Sequence, residues 1–380
     1  MVEKYQAKIM NEPIRVLQIL STLSFGGVQS VVMNYYRNID RKNVQFDFVV
    51  QAEEEGAYEK EVLALGGKIY RTVPMHLNRK RFEQALINIL KSNPGYRIIH
   101  AHQNFLNIIP LRAAKKAKIP VRISHGHSSY RTDSLLTEIK RAVFRLFISV
   151  YATDLFACSK TAAVWLYGEK AVSNSKCKII YNAIDTGKYY FDNNVRSRIR
   201  QELKIEDKLA LIHIGMFTRA KNHEYLLKIF KQVYSLKQKS CLLLAGDGDK
   251  KAELQSLAQD YGISDNVLFL GKKDNVYEYL MAADGFVFPS RYEGLPLAVI
   301  EAQISGLKCF VSDVVTSEVD LFGEVNFMSI AKPAEKWAEV IVSTDLSRYK
   351  RNREAVSNTR YDIINEAEKL KQFYENRSLG

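Results

Sequence analysis

Short β-branched runs alternate with helical patterns along this chain, and that alternation leaves few architectures open. The first half holds IRVLQIL, VQFDFVV, KIYRTV, RIIHAH, VRISHG and DLFACS; the second holds LALIHIG, SCLLLAG, NVLFLG, GFVFPS and KCFVSD. Helical stretches between them include Val28–Arg37, Phe82–Lys91, Ile108–Lys116, His223–Gln238, Lys251–Tyr261 and Val276–Met281. Strands separated by helices pair in parallel, and burial on both faces makes them near-continuous apolar runs. Two such sets predict an α/β protein of two Rossmann-like domains facing across a cleft, with ligands at the carboxyl ends of the strands.

A chain of 380 residues suits two domains of roughly 150–200 residues each. The break falls near KIIYNAIDTGKYY, giving an acceptor-side domain over 1–185 and a second domain over 186–360. A last helical stretch, Asp362–Tyr374 within 361–380, follows the completed second sheet. Whether it crosses back onto the first domain is open at this level.

With 47% hydrophobic residues and eight prolines, the chain can build full cores and does not have the composition of a disordered protein. Cys158, Cys177, Cys241 and Cys309 lie far apart with no CxxC, which predicts buried thiols in a reducing compartment. The opening MVEKYQAKIMNEP is polar rather than leader-like. The longest apolar candidate, around AVFRLFISVYA, is interrupted by Arg145 and falls short of the ~20 residues that span a bilayer. A cytoplasmic protein is expected. Residues 1–185 carry 27 Lys and Arg against 15 Asp and Glu, whereas 186–380 carry 28 against 27. Either the basic half meets an anionic partner or the excess is a general basic bias.

The segment SRYEGLPLAVIEAQ contains Glu293 and Glu301, with Gly294 and Pro296 reading as the opening of a helix that bears Glu301. On one helix, eight positions span about 12 Å, enough to hold hydroxyls at both ends of a nucleotide-sugar. The helix start between them would offer free N–H groups to a diphosphate. An amphipathic helix with two solvated glutamates has the same spacing, so the neighbouring motifs decide.

Those motifs lie at strand ends. In STLSFGGVQSVV, Gly26 and Gly27 separate a strand from an apolar helix, as a bare structural turn or as a backbone approach to an anion. Neither a full G-x-G-x-x-G nor a P-loop is present. In HIGMFTRAKNHEYLLKIF, Thr218, Arg219 and Lys221 lie between a strand and a helix, as a solvated loop or as a cradle for a leaving diphosphate. In VRISHGHSSYRTD, His125 and His127 follow a strand, where a histidine can hydrogen-bond a substrate hydroxyl; no acidic or cysteine partner completes a metal site. His100 and His102 in HAH fit packing or loop hydrogen bonds, LAGDGD reads as turn chemistry, and Lys272 after FLG places its backbone to face a base.

The ordered set FGGVQ, HGHSS, FACSK, YNAID, GMFTRAKNH, LAGDGD, FLGKKDNV and SRYEGLPLAVIEAQISG resembles the family-4 retaining glycosyltransferases of the GT-B fold, a group with many bacterial capsule and exopolysaccharide enzymes. The resemblance implies that Glu301 binds the ribose and Glu293 the donor sugar. Gly294 and Leu295 would meet the sugar or diphosphate through their backbone, Lys221 the diphosphate, and Gly27 the β-phosphate side. His125 would stand near the sugar's reacting face. Met216 is a departure, because family members usually carry arginine there; Arg219 is the candidate replacement.

The implied reaction moves a sugar from a nucleotide-sugar, UDP being the commonest nucleotide, to an acceptor hydroxyl with retention, without metal or cofactor. The acceptor would be a glycan or a polyprenyl-diphosphate-linked sugar. Leu135–Tyr151 mixes Lys140, Arg141 and Arg145 with large apolar residues. Together with Arg79–Arg81 and Arg112–Lys118, it fits either an anionic membrane surface at the inner face or a partly buried helix with a basic edge. A sugar-nucleotide epimerase of related fold would release a changed sugar with no acceptor, and a non-catalytic binder would show no turnover. Nucleic acid is not an expected partner, since no binding module or aromatic-basic platform is present.

Overall fold

The computed structural model describes residues 12–127 and 135–379. They form two compact units: one comprises the described residues up to Ile184 together with those from Arg360 onward, and the other comprises Asp185–Thr359. In the first unit, β1 (Ile14–Ile19), β2 (Val44–Val50), β3 (Ile69–Arg71), β4 (Ile98–Ala101), β5 (Val121–Gly126), β6 (Asp154–Ala157) and β7 (Cys177–Ile179) make one sheet in the order β3-β2-β1-β4-β5-β6-β7. In the second, β8 (Leu209–Ile214), β9 (Ser240–Ala245), β10 (Val267–Gly271), β11 (Gly285–Phe288), β12 (Lys308–Ser312) and β13 (Val325–Met328) run in the order β10-β9-β8-β11-β12-β13. All ladders are parallel.

The eleven expected strands are present. Sequence reading missed β7 and β13, three- and four-residue edge strands that are only partly buried. Short edge strands meet solvent on one side, so the apolar run that marks an interior strand is lost. In both sheets the order reverses beside the first strand, β1 between β2 and β4 and β8 between β9 and β11. Loops leaving such adjacent strand ends diverge and leave room for a ligand.

The helix Ile363–Leu379 belongs to the first unit. Its Ile363, Ala367, Leu370, Phe373 and Tyr374 join the core with Val16, Phe46 and Phe156. Arg377 pairs with Asp154 at 2.8 Å. Full burial of each large apolar side chain contributes about 1.5–3 kcal/mol, so this helix is part of the first core. All four cysteines are buried.

Leu135–Tyr151 is a helix. Phe144 packs near Phe105, and Arg145 donates to the Trp165 carbonyl at 2.9 Å. Val143, Leu146, Phe147 and Val150 are exposed at i, i+3, i+4 and i+7, one stripe of the helix. The side chains of Lys140 and Arg141 lie outside the described residues. No helix among the described residues is long and apolar enough to cross a membrane.

Candidate active site

The loops after β8 and β11 carry most of the predicted donor residues. Past β8, Thr218 is extended and precedes a short 3-10 turn, Arg219–Lys221. Asn222 then adopts a left-handed conformation, φ 57°, and starts the helix His223–Leu236. Asn222 Nδ2 donates to the Pro289 carbonyl at 3.0 Å, and the Arg291 N–H donates to the Ala220 carbonyl at 2.8 Å. These bonds lash the first loop to the segment that bears Glu293, a juxtaposition made possible because β8 and β11 are neighbours.

Lys221 Nζ lies 2.8 Å from Glu293 Oε1, with both side chains mostly buried. The ammonium also stands 4.7 Å from the centre of the Phe288 ring, a cation–π distance. Gly215 leaves room for the lysine stem, since a Cβ there would come within 3.1 Å of Lys221 Cε. Gly246 is required by backbone approach: at φ +151° its Cβ would lie 2.0 Å from the Gly215 carbonyl oxygen. LAGDGD is therefore a prop beneath the loop after β8, and Asp247 Oδ1 accepts from the Gly248 N–H at 3.0 Å.

Met216 is 64% exposed on the same loop. Arg219 is also exposed, with no ion-pair partner among the described residues. Lys272 is exposed just past the end of β10, and Gly294 and Leu295 lie before the next helix.

That helix spans Leu297–Ile304, with Pro296 as its N-cap and no side chain capping its first turn. Glu293 and Gly294 therefore stand in the preceding loop, and the expected single-helix spacing of about 12 Å between the glutamates does not apply. The rigid proline φ suits an extended entry to a helix better than a turn within it. Glu301, on the helix, is half-buried. Burial pushes its carboxyl up to about 7, opposed by a hydrogen bond with Tyr189. Tyr189 is buried on the 3-10 turn Thr186–Tyr189, and its own pKa is raised by burial and by Glu301. Sequence reading missed it, because YNAIDTGKYY marked only the domain boundary.

In the first unit, the helix Gly27–Asn38 starts at Gly26 with no side-chain cap. A Cβ at Gly27 would meet nothing within 4 Å, so internal packing does not demand this glycine. His125, at the end of β5, is buried, as are His100 and His102 at the end of β4. His100 Nε2 lies 3.0 Å from His125 Nδ1, and His102 Nδ1 2.8 Å from His127 Nε2. Burial holds all four imidazoles below the ordinary histidine pKa, His127 at about 3.

His100, His102 and His125 each offer a ring nitrogen within 4.8 Å of the others. Bonds of about 2.0–2.1 Å to a tetrahedral metal require ligand nitrogens about 3.3 Å apart, and two of these rings already hydrogen-bond each other. Part of the expected basic patch is neutralised: Arg112 pairs with Glu83 at 2.5 Å and Lys116 with the same carboxylate at 2.8 Å.

Residues 25–188 match the Glycosyltransferase Family 4 model, and residues 195–360 match Glycosyl transferases group 1. A putative glycosyltransferase EpsF of Bacillus subtilis (strain 168) is 34% identical over 332 residues, covering 86% of each chain. The chain belongs to the family-4 glycosyltransferases of the GT-B fold. This glycosyltransferase is also similar to the capsular polysaccharide biosynthesis glycosyltransferase CapH of Staphylococcus aureus, at 24% identity over 96% of this chain and 100% of the relative. It is 26% identical to the Escherichia coli UDP-Gal:alpha-D-GlcNAc-diphosphoundecaprenol alpha-1,3-galactosyltransferase, over 78% of each. Among solved structures, Anabaena Alr3699/HepE in complex with UDP-glucose shares the fold, with a TM-score of 0.76 and 16% identity over 95% of this chain and 99% of that one.

Proposed function

We propose that this glycosyltransferase moves a sugar from a UDP-sugar to a hydroxyl of a glycan or polyprenyl-diphosphate-linked acceptor in surface polysaccharide synthesis, with retention and without a metal. The observation that carries the donor site is the Lys221–Glu293 ion pair beside the uncapped helix start at Leu297. A carboxylate that binds sugar hydroxyls and an ammonium that binds phosphate are each other's partner. A diphosphate entering the loop offers Lys221 a stronger anion and leaves Glu293 to accept from sugar hydroxyls. At an effective dielectric near 20, such a close pair is worth about 4 kcal/mol, so the exchange favours a ligand bearing both groups over either alone.

In this reading Glu301 holds the ribose, and the backbone at Lys272 faces the base. Thr218, Arg219 and Lys221 take up charge on the departing diphosphate, with the N–H groups at Gly294–Leu295. Gly26 and Gly27 keep the first unit's helix start clear for the β-phosphate side, and His125 hydrogen-bonds the donor sugar. The acceptor attacks from the face the leaving group departs, so the protein supplies positioning and charge stabilisation rather than a covalent nucleophile. The UDP-galactose donor and diphosphoundecaprenol acceptor in the E. coli relative's name support the substrate classes. The exposed stripe of Val143, Leu146, Phe147 and Val150 supports contact with an anionic membrane surface.

The exposed Met216, where the family usually has arginine, favours a second reading: a sugar-nucleotide binder without turnover. A nucleotide-sugar screen for thermal stabilisation and UDP release, run with and without EDTA, separates the two. One UDP-sugar should both stabilise the protein and turn over at an EDTA-independent rate on addition of a lipid-linked acceptor. An α-anomeric product from an α-linked donor reports retention. Stabilisation without turnover on any acceptor would establish the binder, and an altered free nucleotide-sugar would point to an epimerase.

A further inference from the structure

Four of the chain's seven histidines form a two-by-two array. β4 and β5 are parallel neighbours, with His100 opposite Ile123 and Ala101 opposite Ser124. Side chains two apart on a strand share a face, so His100 and His102 stand beside His125 and His127. The rings stack at centroid distances of 4.2 Å for the first pair and 4.0 Å for the second. Two hydrogen-bonded rows result, each ending in a residue that is not histidine. Tyr374 Oη lies 2.7 Å from His100 Nδ1, and Gln18 Oε1 lies 2.7 Å from His102 Nε2. At the opposite ends, His125 Nε2 and His127 Nδ1 are buried with no hydrogen-bond partner among the described residues.

Burial keeps these rings neutral, so each has one N–H donor and one lone pair. The Gln18 carbonyl oxygen only accepts; His102 therefore carries its proton on Nε2, and its Nδ1 accepts from His127 Nε2–H. That leaves a bare lone pair at His127 Nδ1. In the other row the Tyr374 hydroxyl can donate or accept; with Tyr374 as donor to His100 Nδ1, His100 Nε2–H donates to His125 Nδ1 and His125 Nε2–H is left as a donor.

We infer that His127 is a second sugar-hydroxyl-binding residue beside His125, and that Tyr374 and Gln18 are positioning residues that fix the two tautomers. This rests on the placement of His125 at the donor sugar. A sugar hydroxyl both donates and accepts, and one imidazole row ends in a donor while the other ends in an acceptor. Tyr374 comes from the C-terminal helix, more than 240 residues away in sequence from either histidine it governs, so that helix acts on the chemistry as well as on the core.

Histidine-selective 15N NMR on the full chain tests the wiring without any substitution: all four rings should be Nε2–H tautomers. Tyr374→Phe keeps the ring buried and removes the hydroxyl. It should move His100 and His125 towards the Nδ1–H form while leaving His102 and His127 unchanged; Gln18→Leu should do the reverse. His127→Phe should raise KM for one sugar substrate about tenfold, the loss of one hydrogen bond. An Nδ1–H tautomer in wild-type His125 or His127, or Tyr374→Phe slowing turnover without moving any tautomer, would overturn the relay. An unchanged KM in His127→Phe would overturn its binding role. Full activity in His125→Ala would instead show that the placement of His125 is wrong, whatever the spectra show.

Discussion

Replacing Glu301 with glutamine should make the protein more stable and less able to bind its donor. Burial raises this carboxyl from its ordinary 4.5 to about 7. Below pH 4.5 it is protonated in both folded and unfolded chains and contributes nothing. Between 4.5 and 7 the unfolded chain ionises first, so stability falls as pH rises, and the loss is complete above 7. The rise corresponds to at most about 3–4 kcal/mol, a cost that glutamine does not incur.

Binding runs the other way, because the ionised form accepts the strong hydrogen bonds of ribose hydroxyls. Its fraction grows from about one tenth at pH 6 to about nine tenths at pH 8, so Kd for UDP should fall about ninefold across that range. Removal of the charge should weaken binding at pH 8 by about 1.5–3 kcal/mol, on the order of 10- to 100-fold. Thermal unfolding of wild type and Glu301→Gln from pH 5 to 8 measures the first effect, and calorimetric titration with UDP the second. The variant's own pH dependence subtracts the ionisation of UDP. A Tm difference that stays flat with pH would refute the burial argument, and equal UDP affinity at pH 8 would refute the ribose role.

Lys221→Ala should lower kcat by about 10²–10³-fold, measured by UDP release at saturating donor. Arg219→Ala should also cripple turnover if it replaces the arginine missing at Met216; near-normal rates would remove Arg219 from the leaving-group role. Phe147→Glu places a charge in the exposed stripe of the helix Leu135–Tyr151 and should abolish sedimentation with anionic liposomes while sparing transfer to a water-soluble acceptor. Wild-type binding that ignores lipid charge would count against the anionic-surface role.

The period and order of the apolar runs determined the two parallel α/β sheets, because strands buried on both faces leave an unmistakable trace in composition. The interior helices followed for the same reason, and Ile108–Lys116 agrees to the residue. The family followed from motifs at the carboxyl ends of those strands, where chemistry requires particular residues whatever the surroundings. β7 and β13 left too little apolar pattern to read.

Tertiary structure alone decided which side chains answer one another. Lys221 and Glu293 are 72 positions apart, and only the adjacency of β8 and β11 makes them a pair. Sequence placed Glu301 on a helix but could not show its surroundings; burial against Tyr189 made it a carboxyl that titrates near neutrality, while Glu293 stands in the loop before the helix. HAH and HGH read as separate loop ends, and the register of β4 on β5 joined them into two relays anchored by Gln18 and Tyr374. Local pattern dictates where strands and helices form. The dielectric and the hydrogen-bond partner of each group depend on residues that sequence separation hides.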